Sequence, residues 1–267
     1  MKVITVNVNK GGTGKSTISY TLAKWLTLRK NKKVLLIDGD RSCNLSFSFP
    51  GAGASSILDI FEKTGRPVEF HQVGKNLDFI KGSEQLDDHE LDLKSRQNNC
   101  MLFFMWIADN VDRLNEYDYI LIDTHNDTSL VTYNFLAVAD VVLGVSEPSR
   151  NGFRAWLELE DTIDHLKAEI IDVMTRKTYV TATPYLIANK VEHIGTSSKQ
   201  FLEMVELQPN YLGMIQKKEL LAKTLLQDKS IFEMREEMSP AEQAKHEKFY
   251  ANVDAVFEKV IQVAENQ

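Results

Sequence analysis

The 267-residue sequence predicts an α/β fold, a doubly wound, mostly parallel β-sheet with helices on both faces. Three observations lead there. Short, nearly continuous apolar runs recur along the chain, as strands buried on both faces require. Helix-length segments with apolar residues at three- and four-residue spacing separate those runs. A glycine cluster turns the chain from the first run into the first such segment.

The first run, residues 3–8, reads VITVNV and is β-branched, as a strand prefers. Ile18, Leu22, Trp25 and Leu26 then lay a helical stripe along residues 16–29. Further strands are expected over residues 33–38 (KVLLID), 77–80, 117–123 (YDYILID), 138–146, 180–188 and 211–215. Residues 82–99 are polar and charge-rich, and read as a surface loop or short helix ahead of a helix over 101–114. Phe153, Trp156, Leu157, Ile163, Leu166, Ile170 and Met174 share one stripe. Phe249, Val253, Val256, Val260 and Val263 share another. Both read as helix faces packed on the sheet. No repeat, low-complexity tract or linker interrupts the pattern, so the expectation is one domain over residues 1–267.

Thirty-eight acidic residues against 31 basic give a net charge of −7, which speaks against a chain coated in positive charge for nucleic acid or anionic membrane. Contact with either needs a local patch. Cys43 and Cys100 have no CxxC partner; two lone thiols fit a reducing compartment and small, partly buried side chains better than a disulfide framework. The N-terminus runs straight into the glycine loop without a signal peptide, and the longest apolar stretch, residues 135–145, is broken by Asp140 and too short to span a bilayer. A cytoplasmic protein is the expectation.

Residues 9–17 read NKGGTGKST. A phosphate needs several backbone N–H groups turned inward, and Gly11, Gly12 and Gly14 let the chain curl tightly enough to supply them. The helix start near Lys15 adds partial positive charge. Lys15 is placed for the β- and γ-phosphates, Ser16 for Mg²⁺, and Thr13 and Thr17 complete the cradle, which makes ATP the expected ligand. The general pattern is G-x-x-x-x-G-K-[ST]; here Asn9 replaces the first glycine and an additional lysine, Lys10, follows it. Asp123 ends the YDYILID strand, where a hard cation would find a carboxylate.

The loop Lys10-Gly11-Gly12-x-Gly14-Lys15-Ser16 resembles the deviant Walker motif of the ParA/MinD family. The likeness continues through Val34 to Asp40 with Asn44-Leu45-Ser46, the strand 117–124, Ala139 to Val142 with Glu147-Pro148, Ala188-Asn189-Lys190 and residues 215–231, about four-fifths of the chain. Departures are Arg41-Ser42 for the usual Pro-Gln, His125-Asn126 for two prolines, and Gln216 for a common proline before a basic residue. The resemblance implies that Lys10 reaches the nucleotide of a second copy, that Asp40 orients or deprotonates the attacking water, and that Asp38 supports the Mg²⁺ shell with Ser16 and Asp123. It also implies that Asn189, with Gln216 and Lys217, serves the adenine. His125, a lone histidine just past the 117–124 strand in what the resemblance implies is a switch loop, carries no assigned role.

The branch follows by elimination. The cysteines do not match the nitrogenase iron protein or the CxxC iron–sulfur carriers. The C-terminal segment holds a single lysine, Lys259, and lacks the basic amphipathic character of a MinD-type anchor. A ParA-type partition ATPase is expected, short and plasmid-type because the loop begins within ten residues of the start. Such a protein forms an ATP-dependent homodimer, binds DNA nonspecifically, associates with the nucleoid when ATP-bound and acts with a small centromere-binding protein. Lys217, Lys218, Lys223 and Lys229 are the expected DNA contacts, with Glu219 and Asp228 leaving an excess of two charges. A switch that positions another cargo, without DNA, is the alternative.

Overall fold

The apolar runs assemble into one eight-stranded sheet in the order β3-β4-β2-β5-β1-β6-β7-β8, every pairing parallel except β3 with β4. The strands are β1 (Lys2–Asn7), β2 (Val34–Gly39), β3 (His71–Gly74), β4 (Leu77–Ile80), β5 (Tyr119–Thr124), β6 (Val141–Ser146), β7 (Thr183–Val191) and β8 (Tyr211–Gln216). The helices are α1 (Lys15–Arg29), α2 (Leu58–Phe61), α3 (Leu102–Asp109), α4 (Val111–Leu114), α5 (Leu130–Ala137), α6 (Arg150–Glu169), α7 (Thr196–Val205), α8 (Glu219–Gln227), α9 (Ile231–Glu237) and α10 (Pro240–Glu265). This is a computed structural model and it describes residues 1–51, 53–62, 65–192 and 196–267.

Successive strand residues point to opposite faces, so the sheet divides its core in two. Ile4, Val6, Leu36, Leu121 and Leu143 meet α1, α8, α9 and α10. Val3, Leu35, Ile37, Ile120 and Ile122 meet Phe61, Phe103 and Phe135 on the other side, and Val142, Leu186 and Ala188 extend that second face to Trp156, Ile163 and Phe201. The doubly wound arrangement expected from the continuous apolar runs is therefore present. α1 is more enclosed than its stripe suggests: Ser19, Thr21 and Thr27 are buried along with Ile18, Leu22, Trp25 and Leu26, because α8 to α10 cover the side away from the sheet. α10 opens with a Ser239–Glu242 capping box and Pro240 in its first turn, then buries Phe249, Val253, Val256 and Val260. Among the described residues, no helix is long and apolar enough to cross a membrane.

Several expectations change. Residues 138–140 form the turn that follows α5, so β6 begins at Val141 and not at 138. β7 runs three residues past 188, carrying Asn189 and Lys190 inside the strand. α6 ends at Glu169, leaving Met174 87% exposed in the following turn, and Leu157 faces outward; the buried stripe is Trp156, Leu159, Ile163 and Leu166. The helix expected over 101–114 breaks at Asn110, whose backbone leaves the helical region while its side-chain amide donates to the Trp106 carbonyl at 2.9 Å. Residues 82–99 are not merely a surface loop, since Leu86, Leu91 and Leu93 are buried against the second face. β3 was not anticipated. It is four residues long, polar and interrupted by a register shift, the form of a blunted sheet edge, and it has no apolar signal.

Candidate functional site

The carboxyl ends of β1, β2, β5, β6 and β7 lie side by side, the position where ligand sites of open α/β sheets collect. Register brings Asp38 directly opposite Asp123 and Val6 beside Asp123 on the other side. The glycine loop leaves β1 at this edge. Gly12 and Gly14 hold φ of +77° and +95°, the left-handed region that a side chain disfavours, and a Cβ on Gly14 would stand 2.6 Å from the Asn189 amide nitrogen. Gly14 is also the N-cap of α1. No side chain caps it and no acidic residue occupies the first turn, so the free N–H groups and positive end of the helix face the loop.

A cleft of about 670 Å³, the size of a small-molecule site, opens over this loop. It brings together Gly12, Thr13, Gly14, Lys15, Ser16 and Thr17, with Asp40 from the β2 loop, Asn189 from β7, and Gln216 and Lys217 at the end of β8. Gly11 lies beside it, next to Asn126. The walls also hold residues the sequence did not single out: Phe47, Asn126, Leu221, Leu225 and Leu226, together with Lys218, which had been expected on DNA. The leucines share α8 and offer an apolar wall of the kind a base plane packs on. Asn189 donates to the Thr13 carbonyl at 2.8 Å through Nδ2. Its Oδ1 and the Thr13 hydroxyl are buried without a hydrogen-bond partner, so each has capacity left for a ligand.

Lys15 is 7% exposed, and its Nζ makes only long contacts, 3.4 Å to the Val8 carbonyl and 3.3 Å to that of Lys10. Burial pushes its pKa down, while Asp123, Asp40 and Asp127 pull it back up. Asp123 is fully buried. Its Oδ1 accepts from the Ser19 hydroxyl at 2.8 Å and its Oδ2 has no hydrogen-bond partner, although the nearby Ser16 hydroxyl favours its charge. Burial, reinforced by Asp38, lifts its pKa to about 7, against opposing contributions from Ser16, Ser19 and Lys15. A buried carboxylate with a free oxygen beside a serine hydroxyl fits a hard divalent cation such as Mg²⁺.

Asp38 is engaged elsewhere. One oxygen accepts from the Asp40 amide at 3.1 Å, the other from the Ser46 amide and hydroxyl at 2.8 and 2.6 Å. These bonds brace the loop that carries Asp40, and burial lifts the Asp38 pKa to about 6. Asp40 itself accepts, on Oδ1, from the Ser42 amide at 2.8 Å and from His125 Nδ1 at 2.6 Å. Burial would raise its pKa, but those bonds outweigh it and the carboxyl sits below its ordinary value. His125, assigned no role from the sequence, is thus in direct contact with the site. No spacing rule links residues 85 apart; the one sequence signal was histidine where the resembled family has proline.

Lys10 does not line its own cleft. Its ammonium pairs with Glu147, just past the end of β6. The four lysines expected on DNA are divided: Lys217 and Lys218 line the cleft, Lys223 and Lys229 do not. Three of them have carboxylate partners, Lys217 with Glu192 at 2.6 Å, Lys223 with Glu219 at 2.7 Å and Lys229 with Glu237 at 2.6 Å. Glu192 and Glu237 arrive from other elements and cancel the excess of two that Glu219 and Asp228 leave along the sequence. Both cysteines are free thiols, Cys43 buried and Cys100 half-buried.

The profile of the AAA_31 family, described as an AAA domain, matches residues 1–177. An uncharacterised ATP-binding protein of Methanocaldococcus jannaschii is 30% identical over 203 residues, 74% of this chain and 68% of that one. The chromosome-partitioning ATPase Soj of Treponema pallidum is 30% identical over 138 residues, 50% of this chain and 52% of that one. Among solved structures, a putative plasmid partition protein of Borrelia burgdorferi bound to AMPPNP superposes with a TM-score of 0.74 at 23% identity, covering 97% of this chain and 98% of that one.

Proposed function

The chain belongs to the AAA_31 family and is a P-loop ATPase of the ParA type, and from that premise we propose that it is a partition switch that pairs with a second copy on Mg-ATP, binds DNA without sequence preference and hydrolyses ATP with a small centromere-binding partner. In this reading the backbone of Gly11, Gly12, Thr13, Gly14, Lys15, Ser16 and Thr17 cradles the phosphates, and Lys15 neutralises the β- and γ-oxygens. Ser16 and Asp123 hold Mg²⁺, which draws charge off the phosphate oxygens when bound. Asp40 holds the attacking water. Asn189 reads the adenine edge with its free Oδ1, and Gln216 and Lys217 close the base end of the cleft.

The observation that carries the dimer is the place of Lys10. It stands two residues from Gly12 yet outside the lining of its own cleft, paired with Glu147. A lysine so placed serves the phosphate of a second copy by exchanging Glu147 for it, as an arginine finger acts in trans. DNA binding has to work the same way, because the lysine patch is neutral in this state. Exposed ion pairs are worth only about 0–1 kcal/mol, so phosphates can displace Glu192, Glu219 and Glu237 at small cost. Two such patches in a dimer then act with a raised effective concentration. Nucleoid association when ATP-bound follows from that contact.

Light scattering with a slowly hydrolysed ATP analogue, followed by filter binding to random-sequence duplex over a salt series, tests the reading. Wild type should dimerise and bind DNA only with nucleotide, with affinity falling steeply as salt rises. Lys10→Ala should bind ATP and stay monomeric. Lys218→Glu with Lys223→Glu should dimerise but bind DNA weakly with a flatter salt slope. Dimers without any nucleotide-dependent DNA binding, even at low salt, would move the function to positioning another cargo.

A further inference from the structure

Asp40 is a short side chain on a loop, and within its own segment Ser42 alone bonds its carboxylate. The Asp38 bond holds its backbone amide, and the Ser42 amide holds one carboxylate oxygen. The remaining constraint comes from a different element. His125 sits one residue past β5, where Asn7 of β1 donates to the Thr124 hydroxyl at 2.7 Å and lies 3.4 Å from the His125 carbonyl. The Thr124 hydroxyl in turn donates to the Val6 carbonyl at 2.9 Å. The imidazole is therefore delivered from two buried strand ends. Its Nδ1 lies 2.6 Å from Asp40 Oδ1, and because a carboxylate only accepts, Nδ1 carries the proton.

We propose that His125 is a positioning residue for ATP hydrolysis: its Nδ1–H fixes the Asp40 carboxylate through Oδ1, leaving Oδ2 directed to the attacking water. The proposal rests on the reading of Asp40 given above. Two observations set it apart from ordinary packing. Asp40 Oδ1 accepts from both the Ser42 amide and His125 Nδ1, so one oxygen is anchored from two elements, and the Ser42 hydroxyl adds a further favourable contact to the carboxylate. The neighbour of His125, Asn126, lines the phosphate cleft and lies 3.6 Å from a Cβ built on Gly11, so the segment that orients Asp40 also borders the nucleotide. A carboxylate held to one rotamer presents the water in a near-attack geometry, and a free one spends its time among several.

The test is steady-state ATP hydrolysis with saturating Mg²⁺, alongside titration with a fluorescent ATP analogue. Removing one hydrogen bond to a charged group should lower kcat for His125→Ala by about tenfold to a hundredfold, with KM and analogue affinity within about twofold of wild type. His125→Asn places an amide N–H near the position of Nδ1 and should recover most of the rate. On an Asp40→Asn background, His125→Ala should cost almost nothing further, since the two act as one unit. His125→Leu fills the volume of the ring without a donor and gives the same comparison should the alanine variant fold poorly. A donorless variant with wild-type kcat, equal losses for Asn and Leu, or full additivity with Asp40→Asn would each overturn the role of His125. Wild-type turnover by Asp40→Asn alone would instead remove the Asp40 reading itself.

Discussion

Replacing Asp123 by asparagine should stabilise the nucleotide-free protein while destroying its activity. The carboxyl is 0% exposed and titrates near 7 in place of its ordinary 3.8, chiefly because burial disfavours the charge and secondly because Asp38 lies opposite. A raised acid pKa means that the folded state holds a proton the unfolded chain has released. Its favourable contribution is complete below the unfolded pKa and is lost as pH climbs through the folded one. Three pKa units at 1.4 kcal/mol each give a cost of about 4 kcal/mol at pH 8, and the single unit already passed at pH 5 gives less than half of that. Asparagine carries no charge, keeps an acceptor for Ser19, and relieves the repulsion on Asp38. Guanidinium unfolding in EDTA without nucleotide should therefore favour Asp123→Asn by up to about 4 kcal/mol at pH 8, and by less than half of that at pH 5. Mg-ATP should narrow the gap at pH 8 by more than half, since a ligand at a hundred times its Kd adds about 2.7 kcal/mol to the wild type and the variant has lost a ligand to the metal. A variant less stable than wild type at pH 8, or an advantage equal at both pH values, would refute the assignment of Asp123 as a buried carboxyl with a raised pKa.

Two further outcomes follow from the cleft. Asn189→Ala removes a buried, unpartnered acceptor in β7, so ATP affinity should fall by about tenfold or more and the preference for ATP over GTP should collapse in competition binding; an unchanged ratio would place the base elsewhere. Gly14→Ala forces φ of +95° on a residue with a Cβ 2.6 Å from the Asn189 amide, whereas Gly12→Ala meets nothing within 4 Å and bears only its φ of +77°. Urea melts should show a loss of about 1 kcal/mol for Gly12→Ala and at least twice that for Gly14→Ala, and equal losses would mean that the contact with Asn189 does not constrain the loop.

The phosphate loop was legible because its chemistry is contiguous. The glycines that allow left-handed backbone, the lysine and serine that follow, and the strand and helix on either side all lie within one stretch of chain, and each constraint is local. The aspartates at 38, 40 and 123 were legible as strand-end carboxylates for the same reason. Their separate employment was not. Asp38 bonds Ser46 and the Asp40 amide, and Asp123 keeps an oxygen free, a difference set by where the β2 loop folds back. The short edge strand β3 and the break at Asn110 also escaped, since neither has an apolar period to mark it.

By itself, then, the sequence determined the parallel, doubly wound sheet, the nucleotide loop and the catalytic edge, because backbone sterics and side-chain alternation act between near neighbours. Tertiary structure alone decided which charges meet. Lys10 finds Glu147, His125 finds Asp40, Lys217 finds Glu192 and Lys229 finds Glu237. Three of these pairs join separate elements across 25 to 137 residues of chain, and they turn an apparent basic patch into a neutral one and a lone histidine into part of the site. Charge is written in the sequence, but its energy depends on distances of a few ångströms that only packing sets.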